Sequence, residues 1–207
     1  MLKPGSTIGI LGGGQLGRMI ALSAAQLGLK THILCPDQDS PAFQVAGGHI
    51  CAAYDDEAAL AALAQVSDVV TYEFENVPLA TAQFLERHVP VRPGAKALEI
   101  TQDRLLEKSF VRGLGIETAP FAAVDDLAGL EAAVATIGLP AVLKTRRFGY
   151  DGKGQVTLRP GDDLGAAWQA IGAQSAILEG FVTFEREVSV IAARCMDDAF
   201  TAYDVTE

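Results

Sequence analysis

Positive charge is scarce in this chain. Sixteen Lys and Arg stand against 26 Asp and Glu among 207 residues, a formal net charge of −10. Proteins that hold nucleic acid or anionic membranes do so with clustered cations, so neither is expected as a partner. Cysteine is equally sparse. Cys35, Cys51 and Cys195 are an odd number with no Cys-x-x-Cys pair, which argues against a disulfide framework and for a reducing, cytoplasmic setting. The three histidines, His32, His49 and His88, share no metal-site spacing with Cys, Asp or Glu, so no metal ligand is expected within these residues. No Gly-x-Ser-x-Gly elbow and no His-Glu-x-x-His helix occurs, which removes the common serine-hydrolase and zinc-protease readings. No apolar run approaches the roughly 20 residues of a membrane-spanning helix. Lys3 ahead of Ile8–Leu11 has the outline of a signal peptide, but Gln15 and Arg18 interrupt the run. Aromatics are only 7% of the chain, whereas Gly numbers 21. That is the profile of helices joined by glycine turns rather than of an aromatic-rich sandwich.

Patterning divides the chain near residue 96. Thr7–Leu11 reads as a strand running into Gly12-Gly-Gly-Gln-Leu-Gly17. A helical period through Met19, Ile20, Leu22, Ser23 and Leu27 follows, stopped by Gly28, and Thr31–Cys35 is a second strand before Pro36. Helices over Ala58–Gln65 and Pro78–His88, and a strand over Asp68–Tyr72, complete a doubly wound α/β domain of residues 1–96. From residue 97 the rhythm changes. A helix is predicted over Thr101–Gly113 with Thr101 as its N-cap, then strands Pro120–Val124, Ala141–Lys144, Gln155–Leu158 and Ala176–Leu178 with helices Asp126–Ile137 and Asp162–Ile171 between them. These residues, 97–180, read as a linker helix and an α+β module of antiparallel strands. Arg186–Ala193 and Ala199–Val205 alternate with period two around Met196-Asp-Asp198, the signature of a hairpin in a third segment, 181–207.

Four segments carry chemistry. Gly12-x-Gly14-x-x-Gly17 after a strand, with Asp37 lying 20 residues beyond Gly17, has the form of a dinucleotide fingerprint. The same turn serves any phosphate or carboxylate at a helix N-terminus, or none. Pro36 displaces Asp37 from the strand end. Glu73-Phe-Glu75-Asn76 lies at the carboxyl edge of a strand, where open α/β sheets bind ligands. Lys144, Arg146, Arg147 and Lys153 gather within ten residues of an otherwise acidic chain, around Gly149, Gly152 and Gly154. Without the Ser or Thr of a P-loop, this reads as a mobile cationic loop over nucleotide phosphates rather than a Walker turn. Glu179-Gly-Phe-Val182 is a strand end that offers backbone groups to a base edge, and Glu187 can accept from ribose hydroxyls. Arg104 either reaches phosphates or pairs with Asp103 or Glu107.

In order, Gly12-Gly-Gly-Gln-Leu-Gly-Arg-Met19, Glu73-Phe-Glu-Asn76, Gln102-Asp-Arg104, Val142-Leu-Lys144, Gly149-Tyr-Asp-Gly-Lys-Gly-Gln155 and Glu179-Gly-Phe-Val182 resemble the ATP-grasp family, and within it the 5-(carboxyamino)imidazole ribonucleotide synthases of purine biosynthesis. The resemblance implies a Rossmann-like pre-ATP-grasp domain, an α+β ATP-grasp lid module and the start of the C-terminal ATP-grasp sheet. It implies ATP contacts from Arg104, Lys144, Gly149, Tyr150, Asp151, Gly152, Lys153, Gly154, Gln155, Glu179, Gly180, Phe181, Val182 and Glu187. Lys144, Tyr150, Asp151 and Lys153 take the catalytic positions, and Gly14, Gln15, Leu16, Gly17, Glu73 and Asn76 face the ribonucleotide. The implied reaction is an ATP-dependent carboxylation of the exocyclic amine of 5-aminoimidazole ribonucleotide by bicarbonate, in a cytoplasmic homodimer. Mg2+ ligands are expected beyond residue 207, so these 207 residues alone are not expected to turn over. The alternatives are another ATP-grasp carboxylate–amine ligase or a dinucleotide-binding oxidoreductase. The oxidoreductase leaves the loop at 144–155 without a purpose.

Overall fold

The structure is a computed structural model in which residues 2–149 and 152–207 are described. Its first sheet contains β1 (Thr7–Leu11), β2 (Lys30–Cys35), β3 (Gly48–Cys51) and β4 (Val69–Tyr72). They are all parallel, in the order β3-β2-β1-β4. Parallel strands are covered on both faces, which is why β1 and β2 read as near-continuous apolar runs. Ile10 and Ile33 are fully buried with Ala42 on one side, where Ile20 of α1 (Gln15–Gln26) packs. Leu11 and Leu34 are buried on the other against Leu60, Leu63 and Leu85 of α2 (Glu57–Val66) and α3 (Leu79–Glu86). β1 lies between β2 and β4, so the crossovers leave it in opposite directions. The loops after β1 and β4 therefore open onto one crevice.

β3 is not among the strands predicted from the sequence, because it is a short edge strand whose residues are half-buried or exposed and lack an apolar run. It also placed one helix over 101–113. The structure has α4 (Ala95–Thr101) and α5 (Arg104–Gly113), broken at Gln102–Asp103. Asp103 is the N-cap in place of Thr101: its carboxylate accepts from the N–H groups of Leu105 and Leu106 at 2.9 and 3.3 Å. Thr101 instead bonds back to the Ala97 carbonyl inside α4.

The second sheet is antiparallel, ordered β5-β8-β6-β7, from β5 (Phe121–Val124), β6 (Ala141–Thr145), β7 (Gln155–Leu158) and β8 (Ala176–Gly180). Its helices α6 (Leu127–Ile137) and α7 (Leu164–Ala170) cover one face, where Leu143, Leu178, Leu130 and Trp168 form the core. The N-caps of these helices, Asp126 and Asp163, each accept from a backbone N–H in the first turn. Alternation along the strands sends Leu143 into that core and Lys144 to the opposite face.

The predicted hairpin is present but shorter, as β9 (Ala192–Arg194) and β10 (Phe200–Ala202) paired antiparallel. Every residue from 181 to 207 is exposed. Among the described residues, no helix is long and apolar enough to cross a membrane.

Candidate functional site

The glycine turn after β1 is filled by the protein itself. Glu73, the first residue past β4, places Oε1 2.7 Å from the Gly14 N–H and accepts the Gly17 N–H with Oε2. A carboxylate thus sits where the N-terminus of α1 would hold an anion, satisfying donors that the helix cannot. Gly12 has φ +114°, and a Cβ there would overlap the Glu73 side chain. Both features explain the glycines without a dinucleotide. While Glu73 holds those two N–H groups, a pyrophosphate cannot. Gln15 and Leu16, at the start of α1, are exposed. A cleft of about 210 Å³ opens beside the turn, lined in part by Gly14, Asp37, Tyr54 and Glu73. Burial, then a hydrogen bond to Cys35, push the Tyr54 phenol far above its ordinary range.

Lys144 stands on β6 as expected, and Arg146 and Arg147, read as part of a mobile loop, are braced at the base of that loop. Arg146 donates Nε to both oxygens of Asp103 at 3.0 and 2.9 Å. Arg147 donates to Gln102 Oε1 at 2.9 Å. Arg104 pairs with neither Asp103 nor Glu107. Its guanidinium donates to the carbonyls of Thr145 at 2.8 Å and Gly149 at 2.6 Å, and its own N–H bonds the Arg146 carbonyl. Three consecutive side chains of the α4–α5 junction therefore grip the segment that leads out of β6. Gln102 also reaches back: its amide donates to the carbonyls of Glu75 at 2.7 Å and of Val77. The 73–77 loop of the first sheet and the 145–149 segment of the second are joined through this one buried side chain. Asn76 lies beside the same junction, in a cleft shared with Leu106, Arg147 and Phe148.

Burial opposes ionisation of Asp103, but the Arg146 hydrogen bond and the Leu106 and Leu105 N–H groups outweigh it, holding the carboxyl below its ordinary 3.8. A lowered folded-state value adds stability that is present above pH 3.8 and is lost as pH falls through the lowered value. Asp103→Asn keeps a competent N-cap but loses the ion pair. We expect it to cost about 2 kcal/mol at neutral pH. Denaturant titrations should show that gap closing in acid; an undiminished gap near pH ~2.5 would refute the assignment.

On the face of the second sheet turned away from α6 and α7, Lys144 Nζ lies 2.9 Å from Glu179 Oε2. The two residues sit on adjacent strands in diagonal register, since Lys144 faces Ile177 and Val142 faces Glu179. Glu179 is buried, and its Oε1 has no hydrogen-bond partner among the described residues. Lys108 of α5, which the sequence reading passed over, approaches the same Oε2 at 3.4 Å. Its signal was its position: four residues after Arg104, it shares that helix face. Gln155 opens β7 directly opposite Lys144. Gly154 takes φ +69°, and a Cβ there would press on Thr145 Oγ1 at 2.7 Å. Gly149 and Gly152 flank Tyr150 and Asp151, which lie outside the described residues, and Lys153 follows in the same loop. Along 179–182, the Gly180 and Phe181 N–H groups donate to the carbonyls of Pro120 and Pro140. Phe181, Val182 and Glu187 are exposed.

The structure thus brings together Gly14, Gly17 and Glu73 in one cluster, Arg104 and Gly149 in a second, and Lys144 and Glu179 in a third. A doubly wound sheet followed by an antiparallel sheet, with a lysine at the mouth of a glycine loop, matches two family models in succession. These are a ribonucleotide synthetase pre-ATP-grasp domain over residues 5–102 and an ATP-grasp domain over residues 109–207. The chain carries an ATP-grasp domain. It is 56% identical to the N5-carboxyaminoimidazole ribonucleotide synthase of Brucella melitensis, over 100% of this chain and 58% of that protein. Among solved structures, it matches the Staphylococcus aureus N5-carboxyaminoimidazole synthetase complexed with ADP at a TM-score of 0.94 and 39% identity, covering 99% of this chain and 55% of that one. The Aspergillus clavatus N5-carboxyaminoimidazole synthase in complex with ADP and 5-aminoimidazole ribonucleotide matches at 0.87 and 27%, covering 98% and 53%. The ATP-grasp chain described here spans about half the length of these relatives.

Proposed function

We propose that this chain carries the nucleotide-binding part of an ATP-dependent N5-carboxyaminoimidazole ribonucleotide synthase. The observation that carries the reading is Lys144 on the face of the second sheet turned away from α6 and α7, at the mouth of the 149–154 glycine loop, with Glu179 beside it. The relatives whose solved structures hold ADP, and in one case the aminoimidazole ribonucleotide as well, support it.

The chemistry explains the need for such a site. Bicarbonate is a poor electrophile. Transfer of the γ-phosphoryl group of ATP to a bicarbonate oxygen breaks the terminal phosphoanhydride bond and gives carboxyphosphate and ADP. The exocyclic amine then attacks the carboxyl carbon, a C–N bond forms, and inorganic phosphate leaves with the proton passed from nitrogen. Lys144 would offset charge that builds on the phosphoryl oxygens. The 149–155 loop, with Gly149, Gly152 and Gly154, Gln155 and Lys153, would cover the phosphates and keep water from the labile intermediate. Tyr150 and Asp151 are proposed with Lys153 as the loop groups nearest bicarbonate and the amine. Arg104 would act by holding the loop base. Glu179, Gly180, Phe181 and Val182 would meet the base and Glu187 the ribose. Gly14, Gln15, Leu16, Gly17 and Asn76 would face the ribonucleotide, with Glu73 fixing the turn they stand on. Among the described residues no three His, Cys, Asp or Glu side chains converge to hold a cation. On family likeness, the proposal extends to a cytoplasmic homodimer.

Thermal shift separates this reading from the oxidoreductase. ATP at about a hundred times its dissociation constant should raise the midpoint by roughly 5–10 °C. A shift with NADH and none with ATP would overturn it.

A further inference from the structure

Two ammonium groups converge on a single carboxylate oxygen on the face of the second sheet turned away from α6 and α7. Lys144 is 2.9 Å and Lys108 3.4 Å from Glu179 Oε2, and the carboxylate side chain is only 8% exposed. Taken alone, Lys144 and Glu179 form a neutral pair. A neutral pair is a poor anion site, because any phosphate must compete with the carboxylate for the same ammonium. Lys108 changes that count. Two lysines and one glutamate leave the cluster with one net positive charge.

We propose that Lys108 is a positioning residue that holds Glu179 and so releases Lys144 for nucleotide phosphates. Glu179 stays paired when Lys144 turns to an anion, and no buried charge is stranded by the exchange. The geometry fits that division of labour. Lys108 comes from α5 rather than from the sheet, whereas Lys144 stands on the strand that enters the glycine loop. Arg104, one helical turn earlier on α5, grips the base of the same loop, so α5 fixes the loop and the counter-ion together.

The proposal rests on the nucleotide reading above, and its test separates the two. Dissociation constants for adenosine and ADP are measured by calorimetry on the intact chain, wild type against Lys108→Met and Lys108→Arg. The expected result is about tenfold weaker ADP binding in Lys108→Met, unchanged adenosine binding, and recovery in Lys108→Arg. Adding Glu179→Gln to Lys108→Met again leaves one net positive charge, and should restore the ratio of ADP to adenosine affinity. That ratio is insensitive to any loss on the base side or to general destabilisation. Equal weakening of adenosine and ADP would overturn the proposal, since it marks a purely structural role. Unchanged ADP binding in Lys108→Met would overturn it while leaving the nucleotide reading intact. A wild-type chain that binds neither ligand removes both.

Discussion

Lys144→Met is expected to weaken ATP and ADP binding about 100-fold while leaving adenosine binding unchanged. Lys144 occupies the penultimate position of β6, paired in register with Gln155 on one side and Ile177 on the other. Its backbone cannot shift without disturbing three strands. A lost contact between an ammonium and a phosphate is a lost charge-assisted hydrogen bond, worth about 1.5–3 kcal/mol. Methionine retains the length and packing of the aliphatic stem. Lys108 remains on Glu179, so the carboxylate is not left without a counter-ion. Calorimetric titration with ATP, ADP and adenosine checks the split. Undiminished ADP affinity would show that the phosphates lie elsewhere.

Glu73→Ala should destabilise the first sheet by about 3 kcal/mol, because two N–H groups at the start of α1 lose a charged acceptor at once. In thermal unfolding this corresponds to a midpoint roughly 6–12 °C lower. Glu73→Gln retains an acceptor and should fall between the two. A second readout separates this role from simple packing. With the carboxylate gone, the Gly14 and Gly17 N–H groups are open to solvent anions, so sulfate or phosphate should stabilise Glu73→Ala more than the wild type. Equal responses to sulfate would mean that Glu73 does not occupy an anion position.

Most of the architecture was written in periodicity. The apolar runs of β1, β2 and β4 and the spacing of the helices between them specify the doubly wound sheet, and Asp126 and Asp163 mark their helix starts by residue type. What escaped the sequence was decided by competition between neighbours. Thr101 and Asp103 are both good caps, and only the packing at Gln102 shows that the chain breaks between them. β3 has too little buried surface to leave a pattern. At the site, the sequence located the cations but not their partners. Arg146, Arg147 and Lys144 read as one cationic run, yet each finds a different partner from a distant segment: Asp103, Gln102 and Glu179. Glu73 was legible as a residue at the crevice. That its carboxylate would turn into the glycine turn of its own domain follows from the parallel pairing of β1 with β4.

The grip of Gln102, Asp103 and Arg104 on the loop base has a consequence for how this stretch tolerates change. The three contacts come from consecutive residues and land on consecutive parts of one segment. A substitution removes one of them. A residue inserted or deleted at Gln102–Asp103 puts these contacts out of step with the segment they land on, and one inside α5 between Arg104 and Lys108 turns Lys108 by about 100° relative to Arg104. Chain length at this junction is therefore under tighter constraint than residue identity.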